Sequence, residues 1–129
     1  MKPSGGLIAV DLDGTLAEYH GWDEGNIGRP IPYMKKKVEQ WLKDDRRVCI
    51  FTARVSGNDA HEQEPKIWDW LYDVFGVDLA DKIEKITATK TMDIIQIWDD
   101  RAVQVVPNAG ISITEVLRWM SAKLEAISD

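Results

Sequence analysis

Soft metal ligands and long apolar runs are scarce in this sequence. Its 129 residues include one cysteine, Cys49, and two histidines. A single cysteine excludes an internal disulfide and any zinc or iron–sulfur centre built on several cysteines, and it favours a reducing compartment. No apolar run approaches the roughly 20 residues of a membrane span, and the first residues lack the apolar stretch of a signal peptide. We therefore expect a cytoplasmic protein with no membrane partner.

Positive charge is also in short supply. The 16 lysines and arginines are outnumbered by 22 acidic residues, which gives a formal net charge of −6. A general nucleic-acid binder normally carries a broad basic face, so nucleic acid is a disfavoured partner. A small anionic ligand would need a cation or a focused positive site. With no repeat, linker or low-complexity tract, residues 1–129 are expected to form one domain.

Short apolar runs alternate with segments that carry apolar residues at helical spacing. The predicted strands are 7–10, 48–51, 83–86, 94–98 and, closed by a proline at the sheet edge, 103–106. The predicted helices are 31–45, 64–75 and 112–127, the last opened by the capping box Ser112-x-x-Glu115. Helix tryptophans such as Trp119 are expected to pack in the core. Such alternation predicts a parallel α/β sheet.

Acidic and hydroxyl residues follow three of the predicted strands. Asp11 and Asp13 come after the first, Thr52 after the second, and Asp99 and Asp100 after the fourth. Ligands of parallel α/β sheets bind at the carboxyl ends of the strands, so these side chains are expected to meet. Four carboxylates in one crevice need a compensating cation, and Mg²⁺ suits oxygen ligands beside a phosphate.

This set of residues also suits phosphoryl transfer. One carboxylate can attack phosphorus to form an aspartyl phosphate, and a carboxylate two residues on can move protons to the leaving oxygen and from water. Thr52 and a nearby lysine can donate to the phosphoryl oxygens.

The order of these motifs resembles that of the haloacid dehalogenase superfamily. Residues 10–16, VDLDGTL, resemble its first motif and residues 50–52, IFT, its second. A lysine near Lys90 resembles the third, and residues 97–100, IWDD, resemble the fourth. The resemblance implies a Rossmann-like three-layer sandwich with a mainly parallel central sheet.

The resemblance also implies roles for individual residues. Asp11 would be the nucleophile and Asp13 the general acid and base, while Thr52 and Lys90 would hold the phosphoryl oxygens. Mg²⁺ would be held by Asp11, the backbone carbonyl of Asp13 and Asp100, with Asp99 assisting. Lys85 is the alternative third-motif lysine. The implied substrate-binding positions are Gly14, Thr15, Thr52, Ala53, Arg54 and Lys90.

Members of this superfamily usually carry a cap domain, for which this chain has no room. The interval 17–29 is a short polar loop, and 53–82 holds one helix. The sequence is similar to small bacterial and phage capless phosphatases and, more distantly, to the 3′-phosphatase domain of phage polynucleotide kinase. The resemblance thus implies a Mg²⁺-dependent phosphomonoester hydrolase whose substrate is a sugar or other small phosphate, or a nucleic-acid end. Capless members tend to act on large substrates or to form oligomers, so a homo-oligomer is one expectation.

Two other classes remain open. Phospho-acceptor signalling domains of the response-regulator type also place acids, a threonine and a lysine around Mg²⁺, but there the acid pair comes first and the phosphorylated aspartate on a later strand. A binding protein on the same fold is the third possibility. Trp22, in the loop after the first motif, is expected to contact substrate or a partner protomer.

Overall fold

The computed structural model describes residues 4–128 of the chain. Its strands are β1 (Ser4–Val10), β2 (Arg46–Phe51), β3 (Ile86–Thr87) and β4 (Ile94–Trp98). Its helices are α1 (Pro32–Lys43), α2 (Ala60–Phe75), α3 (Val77–Ala80) and α4 (Ile113–Ser128). Single turns of 3-10 helix occur at Asp23–Gly25 and Ala53–Val55.

The four strands form one parallel sheet in the order β3-β2-β1-β4. Val10, the last residue of β1, lies opposite Ile50 of β2 and Trp98 of β4. The segments that leave these three strands therefore begin at the same edge of the sheet. This sheet, flanked by helices, confirms the predicted Rossmann-like α/β fold.

The main core lies between one face of the sheet and the helices α1 and α2. Ile8, Val10, Val48 and Ile50 supply the strand side chains. The helices contribute the apolar stripes that the sequence predicts, namely Met34, Val38, Leu42, Ile67, Leu71 and Phe75.

A second, smaller apolar cluster occupies the opposite face of the sheet. Its members Leu7, Ala9, Cys49, Phe51 and Ile94 are all strand residues. Cys49 is buried there, and burial raises the pKa of its thiol to about 11. The thiol is thus a small buried hydrophobe, as its apolar neighbours in the sequence indicate.

The predicted fifth strand at 103–106 is wrong. Val105 forms an isolated bridge with Ser112, because a turn with positive φ at Asn108 and Gly110 folds this segment back on the residues before α4. The third strand also begins later than predicted, since the Ile83 N–H closes the turn after α3 by donating to the Ala80 carbonyl.

The C-terminal helix is present as predicted, with its capping box. The Ser112 hydroxyl accepts from the Glu115 N–H at 3.1 Å, and the Glu115 carboxylate accepts from the Ser112 N–H at 2.8 Å. The prediction that Trp119 packs in the core is wrong, because its side chain is 61% exposed. Among residues 4–128, no helix is long and apolar enough to cross a membrane.

Two valines on helices provide a matched test of this core. Val38 on α1 is fully buried, whereas Val77 on α3 is 62% exposed. We expect Val38→Ala to lower the free energy of unfolding by about 2 kcal/mol, because it removes two buried methyl groups and leaves a cavity. Val77→Ala should change it by less than about 0.5 kcal/mol. Urea denaturation of both variants measures the difference, and equal losses would contradict this assignment of the core.

Candidate functional site

Three carboxylates meet at the carboxyl edge of the sheet. Asp11 follows β1, and Asp99 and Asp100 follow β4. Each offers a carboxylate oxygen, and these oxygens lie within 4.8 Å of one another. The parallel pairing of β1 and β4 brings them together, and it extends beyond the strands because the Asp11 N–H donates to the Trp98 carbonyl at 2.8 Å. We refer to Asp11, Asp99 and Asp100 as the acidic cluster.

The acidic cluster is strained electrostatically. The pKa of Asp11 is raised from an ordinary value of 3.8 to about 7. Burial of the carboxyl is the largest cause, followed by the negative charge of Asp99 and a hydrogen bond with Asp100. A divalent cation among these oxygens would relieve the repulsion and keep Asp11 ionised.

Asp13, the fourth predicted acid, lies apart from the cluster in an ion pair with Arg54. Arg54 Nε donates to Asp13 Oδ2 at 2.7 Å, and its Nη2 donates to Oδ1 at 2.8 Å. The Arg54 side chain is only 3% exposed. Both oxygens of Asp13 are therefore engaged by one guanidinium, a bidentate geometry that makes the strongest ion pairs.

The same guanidinium holds the loop that follows the first motif. Arg54 Nη1 donates to the Gly25 carbonyl at 2.7 Å, and the guanidinium carbon lies 4.8 Å from the centroid of a Trp22 ring. Trp22 and Tyr19 on this loop both line the site cavity. Residues 18–30, which we call the flap, are thus tied through Arg54 to Asp13.

Thr52 is buried at the end of β2, where it caps the 3-10 turn that carries Arg54. The Thr52 Oγ1 accepts from the Arg54 N–H at 3.2 Å. A hydroxyl that accepts this bond still has its own hydrogen to donate. The position is therefore suited to a donor toward an anionic ligand, as the sequence predicts.

Gly14 and Thr15 lie against Asp100. Gly14 has φ +85°, and a Cβ there would lie 2.5 Å from Asp100 Oδ2. The Asp100 N–H donates to Thr15 Oγ1 at 3.0 Å. Of these two predicted substrate-binding residues, Thr15 thus holds the backbone of Asp100, and the positive φ of residue 14 favours glycine there.

A cavity of about 430 Å³ opens over these groups. The residues that line it come from the acidic cluster, the flap and the loop after β2, and they are Asp11, Asp13, Tyr19, Trp22, Thr52, Ala53, Arg54, Ser56, Gly57, Asp59, Asp100 and Arg101. Sequence reasoning did not single out Tyr19 or Asp59. The one available signal was their position on loops that follow β1 and β2 at the carboxyl edge.

Lys90 lies on a different cavity. It lines a groove of about 800 Å³ together with Asp99, β4 and residues 102–104. Lys85, the alternative, precedes β3, where its carbonyl accepts from the Ile50 N–H at 3.0 Å and its charge acts on the Cys49 thiol inside the sheet. Of the two lysines, Lys90 is thus the one that shares a cavity with a member of the acidic cluster.

The fold and the site together define an α/β protein with a Rossmann-like parallel sheet and a candidate cation site at its carboxyl edge. Among solved structures, the chain is similar to a conserved protein from Bacteroides thetaiotaomicron, with a TM-score of 0.53 and 20% sequence identity. The similarity covers 92% of this chain and 93% of that one, and at this identity it supports the fold alone. No protein family model and no curated protein matches the chain.

The two aspartates of the first motif should affect stability in opposite directions. In the metal-free protein, Asp11 has a folded pKa of about 7 against 3.8 for a free side chain, so ionisation of Asp11 costs stability as the pH rises from 4 to 7. Asp11→Asn removes this cost, and we expect it to stabilise the metal-free protein at pH 8 but not at pH 4. Mg²⁺ should stabilise the wild type and leave Asp11→Asn nearly unchanged.

Asp13→Asn is the matched comparison, because the same substitution there removes the partner of a buried arginine. We expect a loss of about 3 kcal/mol in the free energy of unfolding. Urea denaturation with chelator at several pH values measures both variants. A loss of stability at pH 8 for Asp11→Asn, or none for Asp13→Asn, would contradict the division of the acids described above.

Proposed function

We propose that this chain is a Mg²⁺-dependent phosphomonoester hydrolase of the haloacid dehalogenase type, which acts through an aspartyl phosphate on Asp11. The observation that supports it most is the acidic cluster, in which Asp11, Asp99 and Asp100 offer oxygens within 4.8 Å of one another. The resemblance of the motifs to that superfamily supplies the role of each residue. An enzyme is favoured over a binding protein because this chain keeps a matching residue at each motif position of the superfamily.

The chemistry of the acidic cluster fits Mg²⁺. Its donors are hard carboxylate oxygens, and the raised pKa of Asp11 reports negative charge that lacks compensation. Asp11 and Asp100 would hold the ion together with the Asp13 carbonyl, and the oxygen of Asp99 in the cluster makes it a further ligand. When bound, the ion would neutralise phosphate charge and keep Asp11 ionised at neutral pH.

Asp11 is the proposed nucleophile because it stands at the end of the central strand, inside the cavity. Its carboxylate oxygen would bond to phosphorus as the bond to the ester oxygen breaks, and water would later cleave the aspartyl phosphate to release phosphate and restore Asp11. The Thr52 hydroxyl would donate to a phosphoryl oxygen in both steps. Lys90 would be the second donor by the resemblance of the motifs, and it lines the groove that Asp99 also lines.

The proposed role of Asp13 places a demand on Arg54. To protonate the leaving oxygen, Asp13 must first take up a proton from solvent, which breaks its bidentate pair with Arg54, and it then regains a proton from the attacking water. A phosphoryl oxygen offers Arg54 an equivalent partner, because guanidinium binds phosphate and carboxylate with the same fork geometry. Arrival of substrate would thereby free Asp13 and loosen the flap together.

The proposed substrate is a phosphomonoester of a small molecule. The net charge of −6 opposes a polynucleotide, although the distant resemblance to a polynucleotide 3′-phosphatase keeps that substrate as the alternative. A cytoplasmic location is proposed with it, from the single cysteine and the need for intracellular phosphate esters.

Phosphate release from p-nitrophenyl phosphate and a panel of sugar phosphates, nucleotides and 3′-phosphorylated oligonucleotides tests this proposal. We expect release that needs Mg²⁺ and stops with chelator. Asp11→Asn should lower kcat by on the order of 10³-fold or more. Asp78→Asn, which alters an exposed carboxylate on α3, is the matched control and should keep full activity.

Three results would contradict parts of the proposal. Activity that persists in Asp11→Asn would exclude the nucleophile. A stable phosphoryl group on Asp11 without turnover would indicate a phospho-acceptor domain. Faster hydrolysis of 3′-phosphorylated oligonucleotides than of every small phosphate would replace the proposed substrate class by the alternative.

A further inference from the structure

The part of the chain after β4 exposes an unusual amount of apolar surface. On α4, the side chains of Leu117, Met120 and Ile127 are 58%, 50% and 80% exposed. Within residues 4–128, no side chain of α4 belongs to either apolar cluster of the core. An amphipathic helix that is not packed on its own core normally packs against something else.

The segment that leads into α4 is folded on itself. The Val106 N–H donates to the Ile111 carbonyl at 2.8 Å, and the Ile113 N–H donates to the Gln104 carbonyl at 2.9 Å. These bonds form a small hairpin from which α4 emerges, and the capping box closes its first turn. The helix α4 therefore begins from an ordered hairpin and a capped first turn.

Strand β4 also exposes apolar side chains. Within the described part of the chain it is an edge strand, paired only with β1. Its side chains Ile95 and Ile97 are exposed and line the groove of about 800 Å³ that separates β4 from residues 102–104. An apolar edge strand with a groove beside it is a surface that soluble proteins ordinarily cover.

The size of this surface matches a protein interface. Eight exposed side chains belong to it, namely Ile95, Ile97, Val103, Val105, Ile111, Leu117, Met120 and Ile127. At on the order of 100 Å² each they expose roughly 800 Å² in total, which is comparable with the area that one partner buries in a standard interface. Helical periodicity places Arg118 and Glu125 on the other side of α4, which leaves an apolar stripe with a polar flank.

We propose that this surface, the eight side chains just named, is the interface of a homodimer of this chain. A second copy is the favoured occupant because one chain carries both a projecting apolar helix and an apolar groove. In a two-fold arrangement, α4 of each protomer would cover β4 of its partner. The apolar helix and the apolar groove of both protomers would then be buried. Asp99 and Asp100 lie between β4 and the hairpin, so the partner would also restrain the segment that carries them.

Sedimentation velocity of the full chain with and without changes on α4 tests the dimer. We expect the wild type at micromolar concentration to sediment with twice the 14.7 kDa chain mass. The double variant Leu117→Glu, Met120→Glu should sediment as a monomer with unchanged helix content by circular dichroism. Ala122→Glu adds the same carboxylate on the opposite side of α4 and should remain a dimer.

A second measurement keeps the test decisive if the double variant fails to fold. Amide hydrogen exchange of the wild type should become faster on dilution in residues 94–98 and 113–127, and should stay constant in α2. A monomeric wild type, exchange independent of concentration, or a dimer that persists in the double variant would each overturn the proposal. A monomer would mean that a partner other than this chain covers the surface. None of these readouts depends on phosphatase activity.

Discussion

The bidentate ion pair between Arg54 and Asp13 is the interaction on which the rest of the site depends. It joins the segments that leave β1 and β2 to the flap, because the same guanidinium holds the Gly25 carbonyl and lies over Trp22. It also divides the acids into one neutralised carboxylate and a cluster of three whose charge is not compensated. A single buried arginine thereby neutralises Asp13 and leaves the acidic cluster as the place where a cation would be stabilising.

The acidic cluster lowers the stability of the metal-free fold. The parallel register of β1 and β4 places Asp11 beside Asp99 and Asp100, and the Asp100 N–H donates to Thr15 Oγ1. Burial of the Asp11 carboxyl, together with the negative charge of Asp99 beside it, raises the pKa of Asp11 to about 7. A structure selected for stability alone would not keep this arrangement, which is why it indicates a site.

The sequence predicts the fold and the cluster well for the same physical reason. Buried parallel strands are continuously apolar, so residues 7–10 stand out. Residues 94–98 are also mostly apolar although β4 is an exposed edge strand, and the acids that follow the two strands share one edge of the sheet. The partner of Arg54 is not predictable in this way, because Asp13 lies 41 positions away in the chain. The failures at residues 103–106 and Trp119 share another cause. An apolar pattern predicts that a segment is buried, but it does not predict whether the same chain or another molecule covers that segment.

Strand β4 contributes both to the acidic cluster and to the exposed apolar surface. At its carboxyl end the strand delivers Asp99 and Asp100 to the acidic cluster, and along its outer edge it exposes Ile95 and Ile97 to the groove. An edge strand is held on one side only, so the position of its terminal acids relative to Asp11 rests on the β1 ladder and on Thr15. Whatever covers the groove would supply the missing support on the other side. A partner that packs against β4 would therefore bury the C-terminal apolar surface and at the same time support the strand that carries Asp99 and Asp100.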